Sequence, residues 1–156
     1  RQMCIRDSTI TEHLKHNGLL VIAVPDFASL QQRIFSKYWF HLDLPRHLVH
    51  FESAWLMQQL SRRGYTITRT SYMDPLQNTF GFIQSAMNRI APRQLNDYYR
   101  SLKYVNHLKR EAVLPLIKWS LISVILLPFA ILDNILGALT SRGATVQVFA
   151  TLEKGE

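Results

Sequence analysis

The sequence predicts an α/β fold, and three observations carry that reading. Leu19-Leu20-Val21-Ile22-Ala23-Val24 is a continuous apolar run, too short for a typical helix. Such a run reads as a strand buried on both faces, as in a parallel sheet. Trp39 to Phe51 is a loop dense in His, Asp and Arg, placed between that strand and an amphipathic helix. An open α/β sheet places reactive side chains at its carboxyl edge in this way. Finally, Val146, Val148, Ala150 and Leu152 alternate with Thr145, Gln147, Phe149 and Thr151. That is the period of a strand.

Taken in order, Arg1 to Ser8 show no apolar period and resemble translated adaptor sequence. They are set aside as a non-native leader, residues 1–8, which places Cys4 outside the natural protein. The remaining chain, 9–156, is then expected to be truncated at its amino end. Thr9 and Glu12 have capping-box spacing and Asn17-Gly18 is a stop, so Ile10 to His16 reads as a helix or the end of one. The strand Leu19 to Val24 follows, ending in Pro25-Asp26. Ala28 to Tyr38 suits a helix with Leu30, Ile34 and Phe35 on one side.

Glu52 to Arg63 reads as a helix with Leu56 and Leu60 inward and a Phe51–Leu56 staple. Gly64 ends it, since a left-handed cap costs glycine little. Tyr65 to Tyr72, rich in Thr, Tyr and Ile, is a strand. Met73 to Ala91 reads as a loop and a weaker helix, and the basic stretch after Pro92 as helical. Val113 to Leu132 is apolar enough to approach a bilayer span, but Lys118, Pro115 and Pro128 interrupt it. A broken helix or helical hairpin is expected there. It either packs inside the domain, lies in a membrane interface through 112–140, or spans; the return of the last strand to the sheet disfavours a single span. No internal repeat or low-complexity tract is present.

Composition bounds the rest. The chain has 156 residues, of which 47% are hydrophobic and 19% charged, a balance that suits one globular domain. A single cysteine excludes an internal disulfide. The formal charge is +7, with Arg89, Arg93, Arg100, Lys103, Lys109 and Arg110 grouped before the apolar stretch. The group is either a solvated helix face or a site for an anionic partner. Tyr98, Tyr99 and Tyr104 stand among these cations, but no RNA-binding motif accompanies them, so nucleic acid is not expected as a partner.

The chemistry-bearing residues collect in the loop. His41, His47 and His50 surround Asp43, yet their spacing matches no known metal motif, and no metal is expected. A neutral imidazole takes a proton from a hydroxyl or amine, which makes His47 and His50 candidate bases. Asp43 is placed to orient one, and Arg46 to hold an anionic group. Asp26 and Trp39 are candidate pocket wall. For each there is a plainer alternative: the histidines brace the next helix, Asp26 caps a turn, and Trp39 packs the loop.

Leu14-Lys15-His16-Asn17-Gly18 leading into Leu19 to Asp26 resembles the fifth-strand region of class I S-adenosylmethionine-dependent methyltransferases. In that family a leucine-rich helix end and a Gly-Gly turn lead into an apolar strand ending in Pro-Asn. Asn17-Gly18 and Asp26 are mild departures. Tyr38-Trp39, Asp43, Pro45-Arg46-His47-Leu48 and His50-Phe51, followed by a helix ending at Gly64-Tyr65, resemble a bacterial small-molecule branch. The resemblance spans nearly all of Thr9 to Lys154.

The resemblance implies the C-terminal part of a Rossmann-like sheet with three strands, the last antiparallel between the other two. Flanking helices and an apolar helical insertion at about 74–143 complete it. It also implies methyl transfer from S-adenosylmethionine to a small-molecule or lipid-linked acceptor. A cytoplasmic protein is expected, either free or at the inner face of the membrane. The family's Gly-x-Gly loop and its acidic residue after the second strand have no counterpart in this sequence. The chain alone is therefore expected to be inactive. A non-enzymatic, membrane-surface binding module built on the basic helix and apolar stretch is the alternative reading.

Overall fold

Three strands organise the molecule: β1 (Leu19–Pro25), β2 (Tyr65–Ser71) and β3 (Thr145–Leu152). The computed structural model describes residues 14, 15, 18–44, 47–92, 95–103 and 113–152. The last strand lies in the middle, in the order β1-β3-β2, and runs antiparallel to both neighbours. Leu19 pairs with Thr151 and Pro25 with Thr145 on one side; Tyr65 pairs with Leu152 on the other. A bulge between Ile67 and Arg69 interrupts the second ladder.

The alternation expected of β3 is present. Val146, Val148 and Ala150 are fully buried, and Leu152 nearly so. They meet Leu56 and Leu60 of helix α2 (Ser53–Arg62) in one apolar cluster with Tyr65. Gly64 takes φ +81° at the end of α2, the left-handed cap expected of it.

The expectation for β1 is corrected. It is an edge strand among the described residues, with Leu19 57% and Val21 49% exposed, not a strand buried on both faces. Leu20, Ile22 and Val24 pack against the α2 cluster, while the opposite face and the outer edge are uncovered.

Between β2 and β3, within the expected insertion, three helices follow: α3 (Pro75–Ile90), α4 (Asp97–Lys103) and α5 (Val113–Leu139). The loop and weaker helix read from Met73 to Ala91 is in fact a well-capped helix of 16 residues. Asp74 caps it, its carboxylate accepting from Gln77 N at 2.9 Å, and Pro75 occupies a first-turn position where no N–H is needed. The apolar stretch is one continuous helix of 27 residues, not a broken helix or hairpin. Pro115 falls in its first turn, and Pro128 forfeits one backbone bond that the flanking turns outweigh. Only 17% of its most apolar 18-residue window is buried, so it is not an internal helix.

The helix read from Ala28 to Tyr38 is shorter, α1 (Leu30–Phe35), followed by a 3-10 turn over Ser36–Tyr38. Among the described residues, the basic stretch after Pro92 is helical only in α4. The helix expected over Ile10 to His16 falls mostly outside the described residues.

Polar groups as well as apolar ones lock α3 to its surroundings. Gln31 of α1 donates from Nε2 to the Asn78 carbonyl at 2.7 Å and to the Asp133 carboxylate at 2.8 Å. Asn78 donates to Asn134 at 3.2 Å, tying α3 to α5. Gln84 and Asn88 clasp the start of α4, through Tyr99 N to Gln84 Oε1 and Asn96 N to Asn88 Oδ1. An apolar cluster of Ile83, Met87, Tyr98, Trp119 and Ala130 completes this second layer.

The α5–β3 junction is tight. Arg142 N donates to Gly137 O at 2.7 Å, Leu30 N to Arg142 O at 3.0 Å, and Asp26 N to Ala144 O at 2.9 Å. A Cβ on Gly143 would lie 1.9 Å from the Tyr72 carbonyl oxygen, so only glycine fits between α5 and the chain leaving β2.

Candidate functional site

The carboxyl end of β1 opens into a cavity of about 390 Å³, whose floor is Ala23, Val24 and Pro25 with Thr145 of β3. Its polar wall comes from two sources. The loop after α1 supplies His41, Asp43 and His47, and the face of α3 and α4 supplies Asp74, Gln77 and Tyr99. The edge of the sheet where the sequence placed the site is therefore the edge that carries the cavity.

The loop is held by α3. Ser85 Oγ accepts from Phe40 N at 2.8 Å and donates to the Gly81 carbonyl. Asn88 donates to the Tyr38 carbonyl at 3.1 Å. A second 3-10 turn, Phe40–Leu42, follows, and Asp43 then reverses the chain at φ +33°, a left-handed position that Asp tolerates better than most residues. His47 N donates back to the Asp43 carbonyl at 3.2 Å. Phe40 packs edge-on to both Phe80 and Tyr99, which closes one side.

His41 is 7% exposed and packs edge-on against Trp39 and Phe40. Burial lowers its pKa to about 4, with a further push from His47; Asp74 and Asp43 oppose the shift. His41 is therefore a neutral ring at physiological pH and a poor base. Its Nε2 has no hydrogen-bond partner and abuts α3 at Gly81, where a Cβ would sit 2.4 Å away. Glycine at this position lets the imidazole reach the helix.

His47 is exposed at the mouth. Its Nδ1 lies 3.4 Å from the His41 carbonyl oxygen. With the proton on Nδ1 for that contact, Nε2 carries the lone pair that a base needs. His50 sits differently. Its Nε2 donates to the Leu42 carbonyl at 3.1 Å, its ring leans on Phe27, and it is not in the cavity wall. His50 thus braces the loop, and not the next helix as the plainer alternative had it.

Asp26 is fully buried beside the cavity rather than in its wall. Its Oδ1 accepts from Ala28 N at 2.9 Å and from Ser53 N at 3.1 Å, joining the strand end to the first turn of α2. A carboxylate at a helix start is favourably placed against the helix dipole. Trp39 is 2% exposed, stacked edge-on to Phe27, and borders a neighbouring cavity of about 350 Å³ with Asn96 and Arg100. Asp43 lines both cavities. Arg46 lies outside the described residues.

Of the residues expected from sequence, the cavity thus unites His47 and Asp43, while Asp26 and His50 hold its frame. Asp74, Gln77 and Tyr99 were not anticipated. Asp74-Pro75 is a helix-start signature that was legible in the sequence. Tyr99 joins the site through folding alone. Among the described residues, no group of three or more His, Cys, Asp or Glu side chains is arranged to hold a metal ion.

Comparison with family models, curated proteins and solved structures gave no match.

Proposed function

We propose that this chain is the C-terminal part of a class I S-adenosylmethionine-dependent methyltransferase with a Rossmann-like sheet, and that its cavity receives the acceptor. The observation that carries the reading is the strand order β1-β3-β2 with β3 antiparallel to both neighbours. The resemblance of Leu14 to Asp26 and of Tyr38 to Phe51 implies that arrangement. The exposed Leu19 and Val21 of β1, whose outer edge has no partner strand among the described residues, support it further. An apolar strand edge left open invites pairing, and in a larger sheet it is covered by the next strand.

The cofactor itself does not fit the residues described. Among the described residues, no Gly-rich turn joins a strand to a helix. S-adenosylmethionine supplies the methyl group in the whole enzyme, and the residues here act on the acceptor. His47 takes a proton from an acceptor hydroxyl or amine at the mouth. Asp43 and Asp74 hold polar hydrogens of a small-molecule or lipid-linked acceptor, and Phe40, Phe80 and Tyr99 exclude water from one side.

The test is the chain extended by its upstream reading frame, assayed for S-adenosylmethionine binding and for transfer of a labelled methyl group into small-molecule and lipid extracts. Cofactor binding is expected for the extended protein and not for these 156 residues alone. An extended protein that binds no cofactor overturns the family reading. In the active enzyme, His47→Ala is expected to lower turnover about 100-fold with cofactor affinity unchanged. An unaltered rate removes His47 from the mechanism.

A further inference from the structure

Helix α5 presents a polarity opposite to that of a soluble surface helix. Its inward side carries Asp133, Asn134 and Gly137 together with Trp119 and Ala130. Its outward side carries Leu121, Val124, Ile125, Phe129, Leu132 and Leu136, all between 44% and 68% exposed. At 100° per residue these outward positions sweep an arc of roughly 140°, and the exposed Leu114, Ile117, Ile135 and Leu139 fall within it. A helix packed on one partner helix buries a narrower seam. A surface this broad and continuous exceeds what scattered apolar residues explain.

The cations lie at one end. The cluster of Met87, Tyr98 and Trp119 marks where the end of α3, the start of α4 and the first half of α5 meet. Arg89, Arg100 and Lys118 each stand within two residues of a member of that cluster, and all three are exposed. Asp97 shares a groove with Lys118, so the positive charge there is partly balanced. At the other end, Asn134 is bonded to Asn78 in the first turns of α3. Helix α5 is thus fastened alongside α3 for most of its length and does not stand away from the domain as a spanning helix would.

We infer that α5 binds the surface of an anionic bilayer. It lies in the plane of the interface, with its outward arc among the acyl chains and Arg89, Arg100 and Lys118 against the headgroups. Two features select lipid over a second copy of the chain: the breadth of the apolar arc, and the exposed cations Lys118, on α5 itself, and Arg89 and Arg100, beside residues that pack on it. The inference stands apart from the proposed chemistry, because vesicle binding needs neither cofactor nor acceptor.

The test is flotation of the full chain with phosphatidylcholine vesicles, with and without phosphatidylglycerol, at low and high salt. The chain is expected to float with the anionic vesicles, less so at high salt. Leu121→Glu/Ile125→Glu/Leu132→Glu changes exposed positions only, and is expected to cut the bound fraction more than about tenfold without shifting the thermal melt. Arg100→Glu/Lys118→Glu is expected to lose the preference for anionic vesicles. For depth, a fluorophore is placed in turn at Ile117→Cys and Leu136→Cys in a Cys4→Ser background. Both labels should be quenched by shallow lipid nitroxides. A chain that stays with the soluble fraction and elutes as a dimer, dissociated by the triple change, overturns the inference in favour of self-association. Equal flotation with neutral vesicles overturns its electrostatic part, and deep quenching of either label overturns the in-plane placement.

Discussion

Around β3, Val146, Val148 and Ala150 are fully buried, while β2 turns Thr66, Thr68, Arg69 and Thr70 to the outside. Along α3 and α5 the pattern reverses: Asn78, Gln84, Asp133 and Asn134 are buried, and Leu121, Ile125 and Leu132 face out. The first region is held by the hydrophobic effect, which is non-directional and tolerates any well-shaped apolar filling. The second adds to an apolar cluster directional bonds among side-chain amides and carboxylates, each costly to leave unmade. The sheet region turns mostly polar side chains outward, apart from Leu19 and Val21 of β1, whereas the helical region turns an apolar arc outward.

That contrast breaks most sharply at Val148. Val148→Asp places an unpaired carboxylate in the fully buried centre of β3 and is expected to cost more than about 4 kcal/mol, enough to abolish the cooperative melt in far-ultraviolet circular dichroism. A folded Val148→Asp protein with a near-normal melt would show that β3 is not the core strand.

The next effect is a pH dependence. The unfolded chain protonates His41 as pH falls through its ordinary value of 6.5, whereas the folded chain resists until about 4. Stability is therefore whole above that ordinary value, declines across the interval, and is flat below it. The loss attributed to this group is on the order of 3 kcal/mol. Urea midpoints measured at several pH values should show the decline, and His41→Gln should flatten it. A slope that survives the substitution assigns the effect to other groups.

Gln31→Ala removes the donor shared by the Asn78 carbonyl and the Asp133 carboxylate, and is expected to cost about 2 kcal/mol by urea denaturation. Smallest is Ile125→Asp. Although it adds a charge to the most apolar helix, it should move stability by less than about 1 kcal/mol, because the position is 67% exposed. If Ile125→Asp were as damaging as Gln31→Ala, α5 would be covered by something in solution.

The same contrast explains what the sequence disclosed. Strand β3 was legible because its alternation of Val146, Val148 and Ala150 is the signal that a water-facing sheet produces. The order of the strands matches what the resemblance implied. Helix α3 is faint in the sequence because its buried face mixes Asn78, Gln84, Ser85 and Asn88 with Ile83 and Met87, which dilutes the apolar stripe. The unity of α5 was missed because two prolines were taken as breaks, although one falls in the first turn and the other removes a single bond. At the site, the loop announced itself by composition, and His47 and Asp43 were found there. The neutral state of His41 depends on Gly81, forty residues on, and on burial that only the tertiary fold supplies. No local pattern carries that information.

The clasp around Gly143 has a mechanical consequence. Arg142 is bonded both to the end of α5 and to the first residue of α1, Ala144 is bonded to Asp26, and the Tyr72 carbonyl leaves no room for a side chain between them. A joint so fastened transmits torque instead of absorbing it. Any tilt of α5 is therefore passed to β3, and through it to the cavity floor at Pro25 and Thr145.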